Sequence, residues 1–207
     1  SPDVRLSHVS GPSATSRQAM QAIPFALEDG IAGELTELRL AIGERTSDES
    51  FPVGLISRRR LAGWFRDVSL NGARIAAVWP EVLALPWSTG QLTLAGEGDR
   101  VHMRWGHTQG MTVDRSYADL ALHALVSQAD VETFTEVLNV GTPVPTDWAA
   151  IGVAHAPPVL QMNGEIGPLL CARISRDCPE LDMAGNSAAT SVSWPALARV
   201  WRFSAIA

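Results

Sequence analysis

The fold is decided by the stretch QLTLAGEGDRVHMRWGHTQGMTVD, residues 91–114. Within it, two runs that alternate apolar and polar side chains, QLTLA (91–95) and RVHMRW (100–105), flank the turn cluster GEGD (96–99). This arrangement is typical of two antiparallel strands joined by a tight turn. TQGMTV (108–113) has the composition of a third strand. The stretch therefore predicts a three-stranded antiparallel meander.

The chain after the meander predicts a helix, a strand and a shorter helix. Asp114 is the predicted cap of a helix over RSYADLALHALVSQ (115–128), because aspartate is a preferred N-cap residue. TFTEVLNV (133–140) follows as a strand and EIGPLLCARIS (165–175) as a short helix. The residues available for the buried side of the first of these helices are Leu120, Leu122, Leu125 and Val126.

The chain before the meander begins with a strand and a helix that contains a proline. Apolar residues alternate with polar ones over residues 4–9, which predicts a strand. A helix capped by Ser13 or Thr15 is predicted to follow and to end at Gly30 or Gly33, with Pro24 inside it. Since a proline within a helix removes a backbone hydrogen bond, we expect Pro24 to kink it.

Three further strands and a helix are predicted between residues 36 and 79. TELRLAIG (36–43) alternates, and FPVGLIS (51–57) is a short apolar strand. Ser57 is the predicted cap of a helix that ends at Asn71 and Gly72. ARIAAVW (73–79) is apolar almost throughout and predicts a central buried strand. The order of elements indicates a mixed α/β protein.

Composition excludes several classes of function. The 207 residues suffice for one or two small domains, and 46% of them are hydrophobic. A net charge of −6 argues against nucleic-acid binding, which needs a positive surface. The chain contains no lysine, so all 16 basic residues are arginine. This excludes chemistry that depends on a lysine, including a P-loop and a Schiff base.

No catalytic or metal-binding motif is apparent in the sequence. His102 and His107 are the closest pair of histidines, but no third ligand is suitably spaced for a metal. Cys171 and Cys178 form neither a redox nor a zinc motif, and reduced thiols are expected. No G-x-S-x-G element is present, and no apolar run reaches the length of a membrane span. We expect neither an enzyme nor a cofactor.

Four short motifs in the same order resemble the type II secretion system protein L family (general secretion pathway protein L). They are IPFALED (23–29), VWPEVLALP (78–86), RWGHTQGMTVD (104–114) and a tail that runs from LDMAGN to WPALARVWRFSA (181–205). Glu81 replaces the aspartate that is usual in the second motif, and LDMAG departs from the more usual NLLxG. The resemblance covers nearly the whole chain.

The resemblance implies an actin-like, ribonuclease-H-like α/β fold of mixed sheets with helices. The chain would begin partway into the first lobe, without its first strands. Residues 1–9 would be the remnant of that lobe, 10–72 a small α/β interaction subdomain, and 73–207 the second sheet lobe with the pre-membrane segment. The glycine-rich phosphate loops of an actin-like ATPase are not apparent in the sequence.

The function implied by the resemblance is that of a non-enzymatic cytoplasmic scaffold. It would belong to the type II secretion inner-membrane platform and recruit the secretion ATPase to the membrane, through the N-terminal domain of that ATPase, for protein export. Its location would be the cytoplasmic face of the bacterial inner membrane, as a fragment of a single-pass membrane protein. The small inner-membrane protein M would be a second partner, bound by parts outside this fragment, and a homodimer is left open.

Two candidate surfaces for partner binding follow from charge, and one segment is a candidate for the membrane surface. Glu28 and Asp29 are the first candidates for the partner, and the run of Arg58, Arg59 and Arg60 is the second. Arginine and tryptophan together are typical of the cytosolic end of a membrane span. The membrane-proximal candidates are Trp194, Arg199, Trp201 and Arg202.

Two alternative functions stay open from sequence. The first is an actin-like nucleotide-binding protein related to the ATP binders of pilus assembly, which would be stabilised by adenine nucleotide. The second is a hydrolase whose serine site assembles in space, because catalytic triads need no fixed spacing.

Overall fold

The computed structural model describes residues 3–10, 22–27, 30–31, 34–127, 134–153, 155–174 and 181–184. Within these, the chain forms two compact units. The first contains Asp3–Pro80 together with residues 181–184, and the second begins at Glu81 and includes the described residues up to 174.

The first unit is built on a three-stranded antiparallel sheet. Its strands are β1 (Val4–Ser10), β2 (Leu38–Ile42) and β3 (Ser50–Ser57), in the order β1-β3-β2. A 3₁₀ turn, Leu35–Glu37, precedes β2. Because β3 is the central strand, seven of its eight residues are buried. All three strands were predicted from the sequence.

A helical segment, α1 (residues 22–27), packs on this sheet. Ile23 and Leu27 lie four residues apart on one face and join the apolar cluster that contains Phe51 and Val53 of β3. Phe25 points to solvent. The predicted beginning of this helix before Pro24 lies outside the described residues.

Helix α2 (Arg58–Leu70) follows β3 directly and is bounded as the sequence predicted. The hydroxyl of Ser57 accepts a hydrogen bond from the backbone N–H of Arg60, 3.4 Å away, and so caps the helix. Gly72, with φ of +71°, lies just beyond the C-cap residue Asn71. A positive φ is favourable only for glycine among common residues, which explains the stop.

The prediction of a central buried strand at residues 73–79 is wrong. These residues form no strand, and Arg74 and Ala76 are exposed. The N–H of Val78 donates to Oδ1 of Asp182 at 2.9 Å, and its carbonyl accepts from the N–H of Met183 at 2.7 Å. A short apolar run does not define a strand by itself, because a strand also needs a neighbouring backbone along its length.

His8 of β1 makes the stability of the first unit depend on pH. Burial lowers the pKa of His8 below 6.5, and the charge of Asp48 offsets part of that effect. The folded chain therefore prefers neutral His8, so its contribution to stability is present above pH 6.5 and is lost as the pH falls below it. We expect the urea midpoint to fall between pH 7 and pH 5, and to fall less in His8→Gln. An equal fall in both proteins would contradict this assignment.

The second unit is built on a five-stranded mixed sheet. Its strands are β4 (Gln91–Glu97), β5 (Arg100–Arg104), β6 (Gly110–Asp114), β7 (Glu136–Gly141) and β8 (Val159–Met162), in the order β6-β5-β4-β7-β8. Strands β4, β5 and β6 form the predicted antiparallel meander, while β4-β7 and β7-β8 are parallel pairs. The pairing of β4 with β7 and the existence of β8 were not predicted.

Helix α3 (Ala118–Ser127) covers one face of this sheet. Leu122 and Leu125 are buried as predicted, but Leu120 is 66% exposed, and Ala118 is buried in its place. Asp114 precedes a 3₁₀ turn, Arg115–Tyr117, and its side chain makes no capping hydrogen bond. Successive residues of an α-helix are about 100° apart, so Leu120 lies about 200° around the helix from Leu122 and cannot share its buried side.

The other face of the sheet is covered by two short elements. These are the 3₁₀ turn Glu81–Ala84 and helix α4 (Ile166–Ile174), which was predicted. The turn buries Val82, Leu83 and Ala84.

The subdomain boundaries expected from the sequence, at residues 9/10 and 72/73, stay predictions. Two observations of the structure concern these boundaries. The pairing of β1 with β3 places residues 4–10 in one sheet with residues 50–57. The division between the compact units lies at Pro80 and Glu81.

Candidate interaction surface

The predicted arginine run forms the first turn of α2. Arg58, Arg59 and Arg60 are all exposed. Nε of Arg60 lies 3.1 Å from Oδ1 of Asp3, which holds this side chain against the start of β1. Arg58 and Arg59 form no ion pair with any described residue. Two guanidinium groups therefore project from a helix start that the Ser57 cap fixes.

The charge of this turn is unusual for a helix N-terminus. Acidic side chains are favoured there because they complement the helix dipole, yet the first turn of α2 contains none. Arginine presents a planar fork that suits bidentate contacts with carboxylates. The exposed turn is therefore chemically suited to contact an acidic surface.

The other predicted contact residues cannot be placed. Glu28 and Asp29 lie outside the described residues, as do Trp194, Arg199, Trp201 and Arg202. The structure accordingly describes one of the two predicted partner surfaces.

His102 is the most enclosed titratable group that the sequence singled out. It lies on β5, and its Nδ1 is 2.9 Å from Oγ1 of Thr112 and 3.5 Å from Oε1 of Glu81. Its Nε2 is 3.8 Å from Oε2 of Glu97, and this interaction lowers the pKa of the Glu97 carboxyl. His107, by contrast, is exposed in the turn after β5. The structure does not bring the two histidines together as metal ligands.

Arg104 has a structural role that sequence reasoning missed. Its guanidinium is buried and donates hydrogen bonds to the carbonyl oxygens of Leu83, Leu85, Gly106 and His107. Burial, together with the charge of Arg173, lowers the pKa of Arg104 to about 10. The residue thus joins two of the quoted motifs, VWPEVLALP and RWGHTQGMTVD.

The sequence contains one signal for the buried role of Arg104. Arg104 ends an alternating strand at a position on the same face as His102, where a charged residue needs buried partners. What the sequence could not supply was the identity of those partners, because two of them lie about twenty residues earlier in the chain.

Three further observations concern metal ligands, thiol chemistry and apolar helices among the described residues. No cluster of three or more histidine, cysteine, aspartate or glutamate residues is arranged there to hold a metal ion. Burial raises the pKa of the Cys171 thiol, which disfavours the reactive thiolate. No helix in the part that the structure describes has the length and apolar character needed to cross a membrane.

Comparison with solved structures defines the fold class. The chain is similar to the cytoplasmic domain of EpsL, an inner membrane component of the type II secretion system of Vibrio cholerae, with a TM-score of 0.75 and 24% sequence identity. The match covers 89% of this chain and 74% of that one. The protein is thus a mixed α/β protein with the actin-like fold of that domain.

Comparison with sequences gives the family. The family model described as type II secretion system (T2SS), protein L, matches residues 1–162. The chain belongs to the type II secretion system protein L family. It is 34% identical over 86 residues to protein L of Dickeya chrysanthemi, and 30% identical over 118 residues to that of Vibrio cholerae.

The matched parts of these relatives are short. They make up 42% and 57% of this chain, but only 21% and 29% of the Dickeya and Vibrio proteins. A third relative, protein L of Klebsiella pneumoniae, is 24% identical over 141 residues, which are 68% of this chain and 35% of that protein. The chain therefore spans about a third or less of the curated relatives it matches.

Proposed function

We propose that this chain is a non-enzymatic scaffold that recruits the secretion ATPase to the type II secretion platform. It would act at the cytoplasmic face of the bacterial inner membrane as part of a single-pass protein. Family membership supports this proposal. A second copy of the chain is a further proposed partner, as is protein M, which parts of the protein outside this fragment would bind.

The observation that carries the proposal is the exposed arginine turn of α2. Arg58 and Arg59 are charged, accessible and free of ion pairs with described residues. Their backbone is ordered by the cap at Ser57, so little conformational freedom of the backbone is lost on binding. We propose that these guanidinium groups contact carboxylates on the N-terminal domain of the ATPase.

The test is calorimetric titration of the chain with the N-terminal domain of the ATPase. We expect the double variant Arg58→Glu/Arg59→Glu to bind at least tenfold more weakly, a loss of about 1.4 kcal/mol or more. The double variant Arg66→Glu/Arg74→Glu is the matched control, because both of these arginines are exposed and the net charge changes by the same amount. Equal losses in both variants would indicate a net-charge effect and contradict a contact at the first turn.

Two further titrations test the other candidate surface and the nucleotide-binding alternative. The pair Glu28→Arg/Asp29→Arg tests the first candidate surface, and a loss there without a loss at α2 would move the proposed contact to these acidic residues. Titration with ATP and Mg²⁺ tests the nucleotide-binding alternative. Heat with nucleotide and none with the ATPase domain would overturn the scaffold proposal.

A further inference from the structure

Strand β8 is an apolar strand at the edge of the five-stranded sheet. It pairs with β7 on one side and with no described strand on the other. All four of its residues are exposed, and Val159 and Leu160 are 49% and 50% accessible. An exposed apolar edge of this kind is a template for pairing with another strand.

The direction of the backbone groups of β8 follows from its register. The N–H of Val137 donates to the carbonyl of Pro158 at 2.9 Å, and Val137 is paired with Val159. Since backbone groups alternate along a parallel pair, the N–H groups of Leu160 and Met162 point towards β7. Those of Val159 and Gln161 therefore point to the free edge.

A pocket lies beside this edge on the face that α3 covers. It has a volume of about 300 Å³, and its lining includes Val159 of β8, Asn139 of β7, Thr146 and Trp148. Asn139 is only 7% exposed, and its Oδ1 makes no hydrogen bond with the described residues. A buried oxygen without a donor is costly, so a donor supplied by a ligand would be favoured.

The chemistry of the pocket suits a cationic side chain. The amide oxygen of Asn139 is an acceptor, and Trp148 offers an aromatic ring that attracts cations. Asp147 adjoins the pocket lining and is exposed. Across residues 134–165 the sequence holds three acidic residues, Glu136, Asp147 and Glu165, and no arginine or lysine. A second copy of this chain would bring the same negative charge to the edge, whereas a basic strand complements it.

We propose that the free edge of β8, with the pocket beside Asn139, binds an extended peptide segment of another protein whose side chains alternate between apolar and basic. Backbone hydrogen bonds to Val159 and Gln161 hold the added strand, which lies about 4.8 Å from β8. An arginine side chain of that strand crosses Val159 and donates to Oδ1 of Asn139. This proposal uses no residue of the arginine turn of α2 and does not depend on recruitment of the ATPase.

The probe is a fluorescein-labelled heptapeptide, Val-Lys-Val-Arg-Val-Lys-Val, titrated with the whole chain and followed by fluorescence anisotropy. We expect saturable binding, and binding at least tenfold weaker when the central arginine is replaced by glutamate. Asn139→Leu is expected to remove most of that preference, with its fold checked by circular dichroism. No saturation at 1 mM chain, or equal binding of the two peptides, overturns the proposal.

A proline variant tests the edge itself. Gln161→Pro removes an N–H that points to the free edge and no hydrogen bond to β7, so it is expected to weaken peptide binding at least tenfold. Gln161→Ala is the matched control, because both variants lose the bond from the Gln161 amide to the Gly141 carbonyl. Equal binding to both variants overturns the proposal. A dimer that is detected by sedimentation and abolished by Gln161→Pro would also overturn the proposal, since β8 would then bind a second copy of the chain.

Discussion

Replacing Arg104 with methionine is expected to lower the free energy of unfolding by about 3–5 kcal/mol. The guanidinium donates to four carbonyl oxygens, two of which belong to the segment of Leu83 and Leu85. Methionine has a similar length and fills the space, but it donates no hydrogen bond. The carbonyls would then be buried without partners, which costs more than the loss of the bonds alone.

Urea unfolding followed by tryptophan fluorescence measures this effect. Trp87 is a useful reporter, because its ring centroid lies 5.9 Å from Cζ of Arg104. The control is Arg66→Met, which removes an arginine that is 75% exposed and is expected to change stability by less than about 0.5 kcal/mol. A loss below about 1 kcal/mol in Arg104→Met would mean that water replaces the guanidinium, and would contradict a structural role.

Replacing Leu122 with alanine is expected to cost about 3 kcal/mol, the usual range for a buried leucine being about 2–5 kcal/mol. Leu122 has no exposed surface and packs in the cluster that contains Leu92, Val101 and Val137 of the sheet. Truncation leaves a cavity between α3 and the sheet, and the loss of packing contacts adds to the loss of apolar burial.

Leu120→Ala is the matched control for this prediction. It makes the same chemical change two residues away on the same helix, where the side chain is 66% exposed. We expect a change within about 0.5 kcal/mol. Equal losses in the two variants, measured by urea unfolding, would show that the helix faces the sheet differently.

The sequence determined most of the local structure. Alternation and turn residues predicted β4, β5 and β6, and the two-residue turn between the first two strands places Gly98 at φ of +54°, a conformation that glycine tolerates. The cap at Ser57 and the stop at Gly72 bounded α2 for the same reason. These features depend on residues a few positions apart, so the order of side chains is sufficient to predict them.

The candidate sites were predictable only in part. The exposure of Arg59 follows from the period of α2, since the buried residues Leu61 and Val68 lie on the opposite side of the helix. The pocket at Asn139 was not predictable, because its lining comes from β4, β7, β8 and the loop after β7. Nothing in the neighbouring residues indicates which strands meet there.

Tertiary structure alone decided the long-range arrangement. The parallel pairing of β4 with β7, the edge position of β8 and the partners of Arg104 each join segments distant in the sequence. Local pattern was also insufficient for residues 73–79. Their apolar pattern suited a strand, but the fold supplied no neighbouring strand. Local pattern sets which conformation a segment favours, whereas competition for burial and for backbone partners across the whole chain decides whether that segment pairs and where.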